Sequence, residues 1–284
     1  MLPFRRILFP VDHSEPCKSM VPSVISMAKH FQSEITLLHA CPWPLAFYGE
    51  QLPAGYIVPE VMEAAETERL AKFALEMFPG QAIRQVVVVD DAVMAIRSEV
   101  ERNGTDLIMM PTRGHGVLRR LLLGSVTAKV LHDLSCPVWT GVHNALSIAP
   151  GPYRSMVCAV SLGEETPAIA QAAAALAKSF GAKLSLLHVV DSQPPAADLD
   201  YGPYLTQSMD NAQARLEDLK REFSIDATIA VMEGPITGCL NDEVARRSAD
   251  LIVVGRGHDQ DAVGRLWSRL YDIVRESPCP VLSI

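Results

Sequence analysis

Ile7-Leu8-Phe9-Pro10-Val11-Asp12 returns 149 positions later as Met156-Val157-Cys158-Ala159-Val160-Ser161. Each run is apolar until its last residue, the pattern of a short strand buried on both faces. Ile35-Thr36-Leu37-Leu38-His39-Ala40 returns at the same offset as Leu184-Ser185-Leu186-Leu187-His188-Val189. Asp106-Leu107-Ile108-Met109-Met110 returns 144 positions on as Asp250-Leu251-Ile252-Val253-Val254, and Cys136-Pro137-Val138 returns 143 positions on as Cys279-Pro280-Val281. Four matches in one order mean a tandem duplication, with a few residues lost between the second and third. A prior of roughly 150 residues per domain also gives two domains for 284 residues. We place them at residues 1–148 and 149–284, with His143 to Pro152 as the linker.

Between these runs the hydrophobic period changes from strand to helix. After the strand Arg6 to Val11, Ser14 offers an N-cap, Pro16 sits in the first turn, and Met20, Val21, Val24, Ile25, Ala28 and Phe31 recur at helical spacing. Ile35 to Ala40 is the second strand. A proline-rich aromatic insertion, Pro42 to Pro59, precedes a helix from about Glu60 to Met77. Val86 to Val89 reads as strand, Ala92 to Asn103 as helix, Leu107 to Met110 as strand, Val126 to Leu134 as helix and Pro137 to Val142 as strand. The second half repeats this order, with Thr166-Pro167 opening an alanine-rich helix. Alternating strands and helices predict an α/β fold, two doubly wound parallel sheets with helices on both faces. Ligands of such sheets bind beyond the carboxyl ends of strands where strand order reverses, which directs attention to the residues after Val11 and after Met110.

Composition bounds the function. Twenty-five basic against 33 acidic residues give a net charge of −8, so the overall basic surface needed for sequence-independent nucleic-acid binding is missing. No apolar run is long enough to span a membrane, and the two arginines at the start precede too short an apolar run for a signal peptide. Six cysteines without a C-x-x-C pair read as small buried hydrophobes. A cytoplasmic protein is the expectation.

Strand one ends in Asp12-His13-Ser14. Strand four ends in Pro111-Thr112-Arg113-Gly114-His115-Gly116, with Gly124-Ser125 further along. Glycines let a backbone approach phosphate, helix N-termini present free N–H groups to anions, and Ser125 is expected as the N-cap of the next helix. Arg113, Arg119 and Arg120 add positive charge, and the Asp12 carboxylate suits ribose hydroxyls or an adenine amine. Such turns also serve merely to reverse a chain. No H-x-x-x-H or Cys/His cluster signals a metal, and Ser125 has no assigned base for nucleophilic catalysis. His39 and His188 hold equal places in the two halves, which favours a structural role.

The duplicated halves, Pro10-Val11-Asp12, Leu37-Leu38-His39-Ala40, the stretch Leu121-Leu122-Leu123-Gly124-Ser125-Val126-Thr127-Ala128-Lys129-Val130-Leu131 and Ser135-Cys136-Pro137-Val138 together resemble the universal stress protein family. The resemblance covers nearly the whole chain, twice, as in a tandem member. It implies five-stranded parallel sheets of order 3-2-1-4-5, of the adenine-nucleotide hydrolase-like kind, and a stress-response or regulatory role. Nucleotide-binding members carry G-x2-G-x9-G-S/T after strand four, matched here at Gly114, Gly124 and Ser125, with Pro111 at the first glycine. The resemblance implies ATP or another adenine nucleotide as the ligand. Asp12 and the Ala40 backbone would meet the adenosine; Gly114, Gly124, Ser125 and Val126 would meet the phosphates, with Thr112 and Arg113 in the same loop.

In the second half Ser161 replaces the aspartate, Asp259 and Asp261 enter the loop, and Trp267 falls where Gly124 stood, so this copy is expected not to bind nucleotide. The alternatives are a protein-interaction scaffold of the same fold and, beyond it, an enzyme acting on an adenylated substrate. With no general base in view, hydrolysis would be slow at most. An unknown protein partner is expected, and no nucleic acid or membrane. The closing strands of the two halves are expected to pair as an intramolecular pseudo-dimer, with a homodimer of chains as a further option.

Overall fold

The computed structural model describes residues 3–41, 59–114, 123–142, 152–190, 201–256 and 263–284. The chain divides into a unit of residues 3–151 and a unit of residues 152–284. The expected linker, but for Pro152, and the insertion, but for Pro59, lie outside the described residues, as do Arg119, Arg120, Asp259 and Asp261.

The first unit runs β1 (Arg6–Pro10), α1 (Glu15–Phe31), β2 (Glu34–Cys41), α2 (Pro59–Met77), β3 (Ile83–Val89), α3 (Ala92–Asn103), β4 (Leu107–Met110), α4 (Ser125–Asp133) and β5 (Val138–Thr140). Its strands are parallel in the order β3-β2-β1-β4-β5. The second unit repeats this with β6 (Ser155–Ala159), α5 (Thr166–Phe180), β7 (Lys183–Val190), α6 (Tyr201–Phe223), β8 (Thr228–Glu233), α7 (Ile236–Arg247), β9 (Leu251–Val254), α8 (Val263–Glu276) and β10 (Val281–Ser283), in the order β10-β9-β6-β7-β8. The α/β class and the parallel doubly wound sheets are as the sequence predicts.

Burial explains the central strands. All four residues of β4 and all four of β9 are buried, and Ile7, Leu8 and Phe9 of β1 are at most 1% exposed. A strand covered on both faces needs an apolar residue at every position, so these strands read as continuous runs. The repeated aspartate before β4 and β9 is a clasp. Asp106 accepts the backbone N–H groups of Arg5 (2.8 Å) and Arg6 (3.0 Å), and Asp250 accepts those of Arg154 (2.9 Å) and Ser155 (3.1 Å). Each carboxylate satisfies donors where its first strand begins, and so fixes the alignment of two neighbouring strands.

α1 begins as expected: the Ser14 hydroxyl accepts the N–H of Cys17 at 3.2 Å and proline occupies the first turn. It ends at Gln32, which adopts the left-handed conformation (φ 55°). The face of α1 carrying Met20, Val21, Val24, Met27 and Phe31 is buried. Two local expectations need correction. Ser125 is the first helical residue of α4, not its cap; Gly124 is the N-cap and no side chain caps this helix. β3 begins at Ile83, not Val86, because pairing with β2 (Ile35↔Ile83 onward) extends it through Arg84 and Gln85, whose side chains are exposed. All six cysteines are buried and none is in a disulfide, and burial pushes the thiols of Cys17, Cys158 and Cys279 up to about 12. None of those three is a thiolate nucleophile at neutral pH. Among the described residues no helix is long and apolar enough to cross a membrane.

Candidate functional site

In the first unit, β1 lies between β2 and β4, so strand order runs one way through β2 and β3 and the other way through β4 and β5. Here the ends of β1 and β4 open a crevice, as strand order reversal requires. Asp12, Ala40, Arg113, Gly114, Gly124, Ser125 and Val126 all line one cavity of about 380 Å³ at this point. That volume lies within the span of about 300–1,000 Å³ usual for small-molecule sites. Thr112 does not line it. Its side chain is buried, and its carbonyl accepts the N–H of Gly124 at 2.7 Å.

The acidic end is built by the β1–α1 turn. The Asp12 carboxylate accepts the N–H of Ser14 at 2.9 Å, which turns the chain into α1. His13 takes a left-handed backbone (φ 59°), as does its counterpart Leu162 (φ 63°), so this turn belongs to the fold of both units. Gly114 lies directly against Asp12: a Cβ at position 114 would collide with the carboxylate Oδ2. Val11, Ile96, Met110 and Leu123 add apolar walls to the cavity.

The backbone of Ala40 faces the crevice for a reason of register. Leu38 carbonyl accepts the N–H of Val11 at 2.8 Å, the last bond between β2 and the β1 segment. Backbone groups alternate sides along a parallel strand, so those of Ala40 point the same way as those of Leu38, to where β1 has ended. They are presented to whatever occupies the cavity.

The cavity also meets the N-terminus of α4. Helix geometry leaves the N–H groups of Ser125, Val126 and Thr127 without intrahelical acceptors, and the helix dipole adds partial positive charge there. Arg113 lines the same cavity. The N–H of Gly124 is taken by Thr112, so the donors come from the helix and not from that glycine. Two bonds hold this loop against the helix: Gly124 N–H to the Thr112 carbonyl, and the Thr127 hydroxyl to the Pro111 carbonyl at 2.9 Å. An added Cβ at Gly124 would come within 3.3 Å of that Thr112 oxygen.

A second cluster adjoins the acidic end and was not legible in sequence. His39 Nδ1 lies 2.7 Å from the Val11 carbonyl, and its Nε2 lies 3.3 Å from Glu66 Oε2. Arg69 also reaches Glu66 Oε2 at 3.4 Å. The His13 ring stands 4.9 Å from that of His39 and 5.3 Å from Phe73. Burial, with Arg69 and His39 close by, pushes His13 down to about 4 against the pull of Glu66 and Asp12. Sequence spacing cannot show this cluster, because positions 13, 39 and 66 come from three separate elements.

The second unit differs at the acidic turn and at the helix start, and keeps the histidine contact. Ser161 Oγ takes over the turn bond, accepting Gly163 N–H at 3.3 Å, without a carboxylate. α8 starts at Val263, so Trp267 and Ser268 lie inside the helix instead of at its start, where their N–H groups are spent on intrahelical bonds. His188 Nδ1 repeats the His39 contact, 2.9 Å from the Val160 carbonyl.

The universal stress protein family matches residues 3–140 and again residues 152–284. The chain is similar to the universal stress protein A homolog of Haemophilus influenzae, 30% identical over 131 residues, which is 44% of this chain and 87% of that protein. It is also similar to a universal stress protein of Synechocystis, 28% identical over 138 residues, covering 48% of this chain and 83% of that one. The crystal structure of a universal stress protein from Archaeoglobus fulgidus shares the fold across 98% of this chain and 97% of that one, with a TM-score of 0.67 at 19% identity.

Proposed function

The chain belongs to the universal stress protein family, and from that premise we propose that its first unit binds one adenine nucleotide (ATP, ADP or AMP) and that its second unit binds none. One observation carries this reading. A single cavity is lined by a carboxylate, an arginine, apolar side chains and the N-terminal residues of a helix, whose first N–H groups have no intrahelical acceptor. Asp12 accepts the ribose hydroxyls, the apolar walls hold the purine, and the Ala40 backbone reads its polar edge. The N–H groups of Ser125 and Val126 meet the phosphates with Arg113 beside them. The role is regulatory: nucleotide occupancy is a state of the protein in a stress response.

A scaffold that takes no nucleotide is favoured by one feature. Pro111 lacks an N–H, and Gly124 spends its own on Thr112, so two donors are missing from the phosphate end. Mass analysis of small molecules released from the purified full chain separates the two. An adenine nucleotide in the released fraction supports the first reading. Its absence, together with no heat on titrating ATP, ADP or AMP into the chain, leaves the scaffold.

A further inference from the structure

The His13–His39–Glu66 cluster has an electrostatic requirement that the nucleotide cavity does not meet. A carbonyl oxygen only accepts, so the 2.7 Å contact with Val11 places the His39 proton on Nδ1 and leaves a lone pair on Nε2 of the neutral ring. That lone pair faces Glu66 Oε2, another acceptor, at 3.3 Å. Two acceptors facing each other need a cation between them, either a proton or a metal. The separation is longer than the 2.7–2.9 Å of a charge-assisted N–H···O bond. It matches the edge of about 3.3 Å between two ligands of a tetrahedral ion bonded at roughly 2.0–2.1 Å.

The third group is His13. Its Nε2 is buried and has no hydrogen-bond partner. One ligand atom from each of His13, His39 and Glu66 lies within 4.8 Å of the others. We propose that these three residues hold one divalent transition-metal ion of the zinc type, beside the acidic end of the cavity. Two imidazoles and one carboxylate suit zinc-like ions over magnesium or calcium, which prefer oxygen throughout. Three protein ligands leave a fourth position open to water or a ligand. The Val11 carbonyl supplies the outer hydrogen bond that orients a ligating imidazole. Arg69, more than half exposed, opposes a cation and moves to the other carboxylate oxygen or to solvent when one binds.

The second unit is an internal control. It keeps the histidine–carbonyl bond but carries Leu162 at the place of His13. Matching the fully buried Leu70 of α2 with the fully buried Leu216 of α6 puts Ala212 at the place of Glu66. The fold therefore requires the His39 contact and not the two other ligands.

The test uses the full chain, stripped of metal, titrated calorimetrically with zinc chloride; it involves no nucleotide and stands apart from the nucleotide reading. His13→Leu and Glu66→Ala introduce the second unit's own residues, and circular dichroism verifies their fold. We expect one zinc ion per chain, at least about 100-fold weaker in each variant, the upper end of what losing a mere supporting residue costs. Cobalt in place of zinc should give tetrahedral d–d bands without thiolate charge transfer. No zinc uptake, unchanged affinity in the folded variants, or a thiolate band overturns the assignment.

Discussion

Asp12→Ser separates the carboxylate from the turn it builds. In the folded protein Asp12 does two things: it accepts the N–H of Ser14 at 2.9 Å, and it presents its charge to the cavity. The second unit shows that serine suffices for the first task, since Ser161 Oγ accepts Gly163 N–H at 3.3 Å in the equivalent turn. The substitution should therefore change stability by no more than about 1 kcal/mol, the net worth of one ordinary hydrogen bond. Binding should suffer more. Hydrogen bonds between ribose hydroxyls and an ionised carboxylate are worth about 1.5–3 kcal/mol, so affinity should fall roughly 10- to 150-fold. Calorimetric titration of wild type and variant with ATP, ADP and AMP, beside thermal melts of both, reads the two quantities separately. A folded Asp12→Ser chain with unchanged affinity would remove Asp12 from the site and refute the orientation assigned to the ligand.

Gly114→Ala adds a Cβ that collides with Asp12 Oδ2. Turning the carboxylate aside should cost the same affinity as Asp12→Ser, and the double variant should lose no more than either single one; additive losses in calorimetry would show the two residues acting independently. Thr127→Val removes the hydroxyl that ties α4 to the Pro111 carbonyl and should lower denaturant stability by about 1–2 kcal/mol; an unchanged midpoint would mean the tie is idle. Glu243 is fully buried. Burial alone would raise its pKa, but bonds from Ser185 (2.6 Å), Arg247 and Arg246 hold it below its ordinary value. A carboxylate with a depressed folded pKa stabilises the protein above its unfolded pKa, near 4.5, and that stability is lost as pH falls through the folded value. Glu243→Gln should therefore flatten the acid limb of a pH–melting profile, and an identical acid limb would exclude Glu243 as its source.

The fold was legible because its signals are local or repeated. The runs at Ile7 and Met156 are buried on both faces and carry no polar interruption, so they read as strands at once. β3 extends three residues beyond its legible apolar run, because Arg84 and Gln85 are adjacent and both solvated and only pairing with β2 makes them strand. Gly114 and Gly124 were found as glycines, but the reason for each is a distance: Asp12 stands against one, and the Thr112 carbonyl against the other. Thr112 illustrates the reverse error, a residue adjacent in sequence to the site that faces the interior. The apolar walls Ile96 and Met110 looked like ordinary core positions. His13 and Glu66 had no partner within reach in sequence, and only the meeting of the β1–α1 turn, β2 and α2 gives them one.

The central claim is that nucleotide binding belongs to one half of a duplicated chain. Native mass spectrometry of the full chain with increasing ATP, ADP and AMP tests it most directly. One nucleotide adduct per chain, lost in Asp12→Ser at the same concentrations, is the predicted result. Two equivalent adducts, or none with any of the three, would contradict it.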